Sequence, residues 1–199
     1  MKSVKEAVCS IAILAASMFI VSCGNASSSN EPEFATDSLT YDKYSWFTWK
    51  AMVPQGKGYV FSEEMPEALK EIATTKLGFL VGDKVVINLI DFEAETLEEE
   101  KAIIMNNALE KEKKGIKDTK IAGRNAFMVP YLLGGSELTL YGYTFYVDFK
   151  DFSEGGFGGS NIFYMTVYPA DGQADKIDEL LNDEEVKFVL DNMTITPKQ

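Results

Sequence analysis

Carboxylates, hydroxyls, tyrosines and lysines are the residues of this chain that could do chemistry, beside two cysteines near its start. Histidine is absent from all 199 residues. That removes Ser-His-Asp and Cys-His catalysis and every histidine-based metal site. The carboxylates are numerous, 31 Asp and Glu against 19 Lys and Arg, and two groups of them have spacing worth weighing. Asp91, Glu93 and Glu95 close one expected strand. With a second acid across a sugar, they could act as a glycosidase-like pair. Nothing in the sequence brings that second acid to them, so a solvated strand end is the plainer reading. Asp148, Asp151 and Glu154 recur at intervals of three, with Phe149 and Phe152 between them. Calcium takes oxygen ligands from flexible segments, but this spacing is not that of an EF-hand loop. The loop 148–154 reads as a solvated hairpin loop, with calcium binding left open. The glycines that follow, in Gly155-Gly156-Phe157-Gly158-Gly159-Ser160, lack the lysine and the helix of a phosphate cradle. We expect no catalytic residue, no resident metal and no cofactor.

The cysteines point elsewhere. Lys2 and Lys5 precede an apolar run from Ala7 to Val21, and small Ser22 stands just before Cys23. That is the layout of a secretory signal peptide, and the run, about 15 residues, is short of the roughly 20 that span a bilayer. Ile20-Val21-Ser22-Cys23 resembles the lipobox of bacterial lipoproteins. The resemblance implies cleavage before Cys23, a diacylglycerol on its sulfur and an acylated amine. Two or more acyl chains hold a protein stably at a bilayer, at about 0.8 kcal/mol per buried methylene. Cys9 would leave with the leader, so the domain would carry neither a thiol nor a disulfide.

Without residues 1–22, 17 basic side chains face 30 acidic ones. Such a domain is a poor partner for nucleic acid and is repelled by anionic head groups. The composition, 46% hydrophobic and 12% aromatic, is ample for one core.

The elements that must position these residues can be read in order. Residues 23–40 are polar and aperiodic, a flexible tether reaching about 20–25 Å. A domain over 41–199 begins with an alternating strand, Tyr44 to Val53. It places Phe47, Trp49, Ala51 and Val53 on one face and Trp46, Thr48, Lys50 and Met52 on the other. A short strand at Gly58–Ser62 and a helix from Pro66 to about Thr75 follow, although Leu77–Leu80 could extend as strand. Lys84–Glu93 is rich in β-branched residues and reads as a strand. Thr96 and Glu99 form a capping-box pattern opening a long helix that ends at Gly115, with Leu97, Ile103, Ile104 and Ala108 as its stripe. A strand meander takes Ile116–Ile121, Asn125–Leu133, Glu137–Lys150 and Asn161–Tyr168, with Pro130 at an edge or a bulge. Helical sequence over Gln173–Leu190, broken near Asn182, feeds a last strand, Met193–Thr196. The class is α+β: a mostly antiparallel sheet with a long helix and a C-terminal helix packed on it.

That order resembles the PsbP/Mog1-like fold over about Tyr41 to Ile195. The similarity rests on Phe47-Thr48-Trp49-Lys50-Ala51-Met52-Val53-Pro54, on the hairpin Ile121-Ala122-Gly123-Arg124-Asn125-Ala126-Phe127, and on Leu190-Asp191-Asn192-Met193-Thr194-Ile195. The family includes a thylakoid-lumen photosystem subunit, a Ran-binding import factor and bacterial lipoproteins. The resemblance implies binding and assembly, and the matched positions are turn and core positions that carry no site.

One surface remains. Tyr44 and Trp46 fall opposite Phe47 and Trp49, and Tyr146 falls opposite Tyr143 and Phe145. Where helices cover only one sheet face, such rings suit contacts with protein or carbohydrate; burial under a helix or loop is the alternative. The sequence thus leads to a non-catalytic module of the bacterial cell envelope, held at the lipid bilayer by acylated Cys23. Its expected partner is an envelope protein touching Tyr44, Trp46 and Tyr146. A carboxylate-based envelope glycan hydrolase and a small-ligand carrier are the alternatives.

Overall fold

Strict alternation builds the strand on which the domain is centred. In β2 (Phe47–Pro54), Phe47, Trp49, Ala51 and Val53 are at most 2% exposed while Lys50 and Met52 face solvent. The computed structural model describes residues 34–44, 47–73, 77–93, 96–134, 137–149 and 162–198. Cys23 with its leader, Trp46, Glu95, the loop 150–161, and the side chains of Asp91 and Glu93 lie outside this description.

β2 is the middle of a small antiparallel sheet, between β1 (Thr36–Tyr41) and β10 (Met193–Pro197). β1 begins five residues ahead of the expected domain start, inside the stretch read as tether. Its Leu39 and Tyr41 turn inward while Ser38 and Thr40 face out. Two inward apolar residues suffice because β2 supplies the backbone partners from Thr36↔Pro54 to Tyr41↔Trp49. Local composition does not reveal such tertiary pairing.

The larger sheet holds β3 (Val60–Ser62), β4 (Gly78–Val81), β5 (Val85–Glu93), β6 (Lys117–Ile121), β7 (Arg124–Leu133), β8 (Thr139–Asp148) and β9 (Ile162–Pro169). Their order is β3-β4-β5-β9-β8-β7-β6, antiparallel throughout. The expected class, α+β with mostly antiparallel sheets, is what the chain adopts. Pro130 sits on β7 beyond the last β6 partner, Met128, and beside a bulge at Tyr131/Leu132. A proline without an N–H is tolerated at such a place.

The helices are α1 (Leu97–Asn107), α2 (Glu110–Lys113), α3 (Ile177–Leu180) and α4 (Glu184–Asp191). The capping box forms as expected: Thr96 Oγ1 accepts from the Glu99 amide, and the Glu99 carboxylate accepts from the Thr96 amide. The single helix expected through to Gly115 does not. Ala108 and Leu109 are extended, and the Glu112 carboxylate caps the Leu109 amide at 2.6 Å. Its apolar stripe buries nothing fully, and Ile103 is 46% exposed. Without a deep contact to hold it, the helix breaks after Asn106-Asn107, both weak helix formers. The helix expected over 66–75 shrinks to one 3₁₀ turn, Glu67–Leu69, and the strand alternative after it holds as β4.

The main core lies between the two sheets and the C-terminal helices. It gathers Phe47 and Trp49 of β2 with Ile87, Leu89, Phe145, Phe163 and Val167 of the large sheet, and Val186 and Val189 of α4. A second cluster, Leu69, Ala73, Phe79, Val86 and Tyr168, forms on the opposite sheet face under the segment 65–73. β5 therefore buries Val85 and Ile87 on one face and Val86 on the other, which explains its nearly continuous apolar sequence. Among the described residues no helix is long and apolar enough to cross a membrane.

Candidate binding surface

The sequence nominated Tyr44, Trp46 and Tyr146. Tyr44 lies outside β2, so the alternation that should have turned it outward does not reach it. Its ring stacks on Phe47 (centroids 4.9 Å apart, planes at 14°), and its hydroxyl donates to the Leu77 carbonyl at 2.5 Å. Tyr44 is half-buried against the main core. Trp46 lies outside the described residues.

Tyr146 does take the face opposite Tyr143 and Phe145. Cross-strand register sets Phe127, Tyr146 and Tyr164 side by side on β7, β8 and β9. The three rings stack, 4.7 Å and 3° between Phe127 and Tyr146, 5.4 Å and 18° between Tyr146 and Tyr164. Phe127 is fully buried and the two tyrosines are half-buried. Stacked cross-strand rings contribute about 0.5–1.5 kcal/mol per pair beyond their buried area. The row first serves the sheet, and the two tyrosines present its accessible edge.

Next to that row runs a polar one that the sequence reading passed over. Asn88, Thr166 and Thr144 are in register across β5, β9 and β8, and all three are buried. The two threonine hydroxyls bond each other at 2.9 Å, and burial pushes the phenol of nearby Tyr168 up. The signal was a lone asparagine between Ile87 and Leu89. Buried hydrogen-bonded side chains such as these two threonines fix strand register.

A cleft opens on the inner face, where β6 meets the C-terminal helices. Ile121, Met128 and Phe145 make its sheet side, and Leu181 and Leu190 its helix side. Thr119, Lys120, Lys187 and Asp191 complete the lining, and the space is about 260 Å³. Burial pushes the Asp191 carboxyl up, and the Lys187 charge pulls it back in part. The cleft was not legible because it joins five elements, each of which reads as plain core or surface by itself.

Several carboxylates elsewhere have structural partners. Asp178 accepts from the Tyr143 hydroxyl at 2.7 Å, tying α3 to β8. Asp178 and Asp175 border an open depression with Thr139 and Leu140. Of the possible calcium ligands only Asp148 is described, and its carbonyl accepts from Arg124. Arg124 in turn sits 4.3 Å over the Phe149 ring. Among the described residues no three of Asp, Glu, Cys and His gather as metal ligands.

Comparison with known proteins adds no relative: no family model, no curated protein and no solved structure matches the chain.

Proposed function

We propose that this chain is a lipid-anchored binding or assembly module of the bacterial cell envelope, and that its domain is PsbP/Mog1-like. The observation that carries the reading is Ile20-Val21-Ser22-Cys23 at the end of an apolar run behind Lys2 and Lys5. Acylation at Cys23 confines the domain to one membrane and raises its effective concentration for a partner on that membrane. The finer fold assignment is supported by the order of elements. An aromatic strand ends in Val53-Pro54, a Gly123-Arg124 turn joins β6 to β7, and a C-terminal helix feeds β10, which returns to the aromatic strand. At the inner-face cleft binding is favoured over hydrolysis, because Asp191 is the lone carboxylate there among apolar groups, lysines and Thr119. Glycoside hydrolysis uses two. At that cleft the size also favours protein contact, since about 260 Å³ falls below the roughly 300–1,000 Å³ of small-molecule sites.

The test is chemical crosslinking in living cells, then purification of the full chain beside a Cys23→Ala control. One partner recovered in near-equal amount, and lost in the control, is the expected result. Absence of a partner from both forms overturns the reading.

A further inference from the structure

The β6 edge and the cleft beside it form one continuous feature. β6 is the terminal strand of the large sheet, paired on one side to β7. Ala122 and Gly123, at φ +51° and +75°, make a two-residue turn of the mirror-image type. In that hairpin the flanking residues Ile121 and Arg124 exchange both backbone bonds, and the pairs Thr119–Ala126 and Lys117–Met128 follow by alternation. The N–H and C=O groups of Asp118 and Lys120 therefore point away from β7. No backbone group among the described residues bonds to them. An edge of this kind is a template for another strand.

The cleft runs along the same edge, between Thr119, Lys120 and Ile121 of β6 and Lys187, Leu190 and Asp191 of α4 and its end. Its floor is apolar, and its volume suits one large side chain better than an enclosed small molecule. The charge around it is opposite to that of the whole molecule. Lys117, Lys120 and Lys187 make no ion pair among the described residues, and Asp118 is already engaged by Lys101 at 2.5 Å. Against these stands the single carboxylate of Asp191. In a chain of net charge −12, a lysine-flanked apolar cleft beside an open strand edge is complementary to an acidic segment carrying an apolar side chain.

The geometry points to β6 as the docking strand for an extended, acidic peptide segment of the partner. The segment adds to the sheet through the main chain of Asp118 and Lys120. It seats one apolar side chain on Ile121, Met128, Phe145, Leu181 and Leu190, and sets flanking carboxylates against Lys117, Lys120 and Lys187. Main-chain bonds supply affinity in such strand addition, and the side-chain pocket supplies selectivity. This assignment rests on the protein-binding reading above and says which surface and which partner chemistry that reading uses.

The experiment places the photocrosslinker p-benzoylphenylalanine at Lys117 of the full-length chain in cells, with a control probe at Ser38 on the outer face of the small sheet. The Lys117 probe is expected to give one discrete adduct, mapped by mass spectrometry to a partner stretch with Asp or Glu flanking an apolar residue. Lys120→Pro removes an outward N–H that makes no bond in the fold, and Lys187→Glu reverses an exposed charge. Each should cut the adduct at least tenfold, Lys120→Pro should do so while circular dichroism and the thermal midpoint stay at wild-type values, and Lys120→Arg should leave the adduct intact. An adduct at Ser38 without one at Lys117 overturns the edge as the site and leaves the assembly reading standing. A Lys117 adduct that survives Lys120→Pro, or that maps to residues 1–33 of this chain, overturns it as well. No adduct at either probe, together with no partner in the purification, ends both readings.

Discussion

The Lys84 ammonium lies 2.7 Å from Asp183 Oδ2, the carboxylate that caps α4 ninety-nine positions later. It also reaches Glu185 Oε2 at 2.9 Å, and Lys57 meets the other oxygen of Glu185 at 3.0 Å. The pair joins the turn entering β5 to the helix that closes the main core. Burial acts to push Asp183 up, but the hydrogen bond from Lys84 and two backbone amides hold it below its usual range. Lys84 lowers Glu185 in the same way.

Depressed carboxyls release protons more readily in the folded chain than in the unfolded one. Their contribution to stability is full above the ordinary carboxylate range, near pH 4, and is lost as pH falls through the depressed values. We expect Lys84→Met to lower stability at pH 7 by about 1 kcal/mol, the upper end for a partly exposed pair. It should also flatten the loss of stability below pH 4. Denaturant titrations from pH 7 to pH 2 check both effects; an unchanged acid limb would contradict the assignment.

Asp191 behaves in the opposite sense. Burial raises its carboxyl in the folded chain, so the folded state holds that proton more tightly. Stability then falls as pH rises through the carboxylate range, and the penalty is fully present at neutral pH. Asp191→Asn should raise the thermal midpoint at pH 7, with the gain vanishing below pH 4. A lower midpoint at pH 7 would show instead that the carboxylate is stabilised by its surroundings.

Gly142 lies on β8 between two faces that both need the space. A Cβ there would come within 2.4 Å of the Val167 carbonyl oxygen and 3.2 Å of the Tyr168 ring. Because the nearer atom is backbone, relief requires the β8–β9 pairing to shift. Gly142→Ala should cost about 2 kcal/mol or more, measured by denaturant unfolding. A cost below 0.5 kcal/mol, within the usual scatter of neutral substitutions, would refute the close approach.

The stack of Phe127, Tyr146 and Tyr164 separates a structural role from a binding one. Tyr146→Phe keeps both ring contacts and should leave stability within about 0.5 kcal/mol of wild type. Tyr146→Ala removes both and should cost about 2–4 kcal/mol. Recovery of the crosslinked partner in both variants would assign the row to the sheet alone. Loss in Tyr146→Phe, where the fold is intact, would make the hydroxyl a contact.

These residues also show what the sequence could and could not convey. β2 was legible because one face packs on the core and the other meets solvent, so its burial alternates, and β8 because its sequence alternates even though Gly142 and Thr144 are buried as well. The capping box at Thr96 and Glu99 was legible because it is local. The extent of α1 was not: its end is decided by how little of Ile103 and Ile104 the sheet covers. β1 escaped notice because its pairing with β2 outweighs its polar composition. Tyr44 was set on the wrong face by extending the β2 period three residues too far. The cleft at β6 is a product of assembly, with Ile121 and Leu190 about seventy residues apart in the chain, and periodicity carries no information about it.

The central claim is that the domain works from a membrane through Cys23. The most direct measurement is mass spectrometry of the amino-terminal peptide from the full-length chain, purified from the membrane fraction of its own cells. The account predicts a peptide beginning at Cys23 that carries a diacylglyceryl group on sulfur and an acyl group on its amine. It also predicts that Cys23→Ala leaves the chain uncut and unacylated. A free Cys23 thiol, or a mature chain that begins elsewhere and fractionates without the membrane, would contradict it.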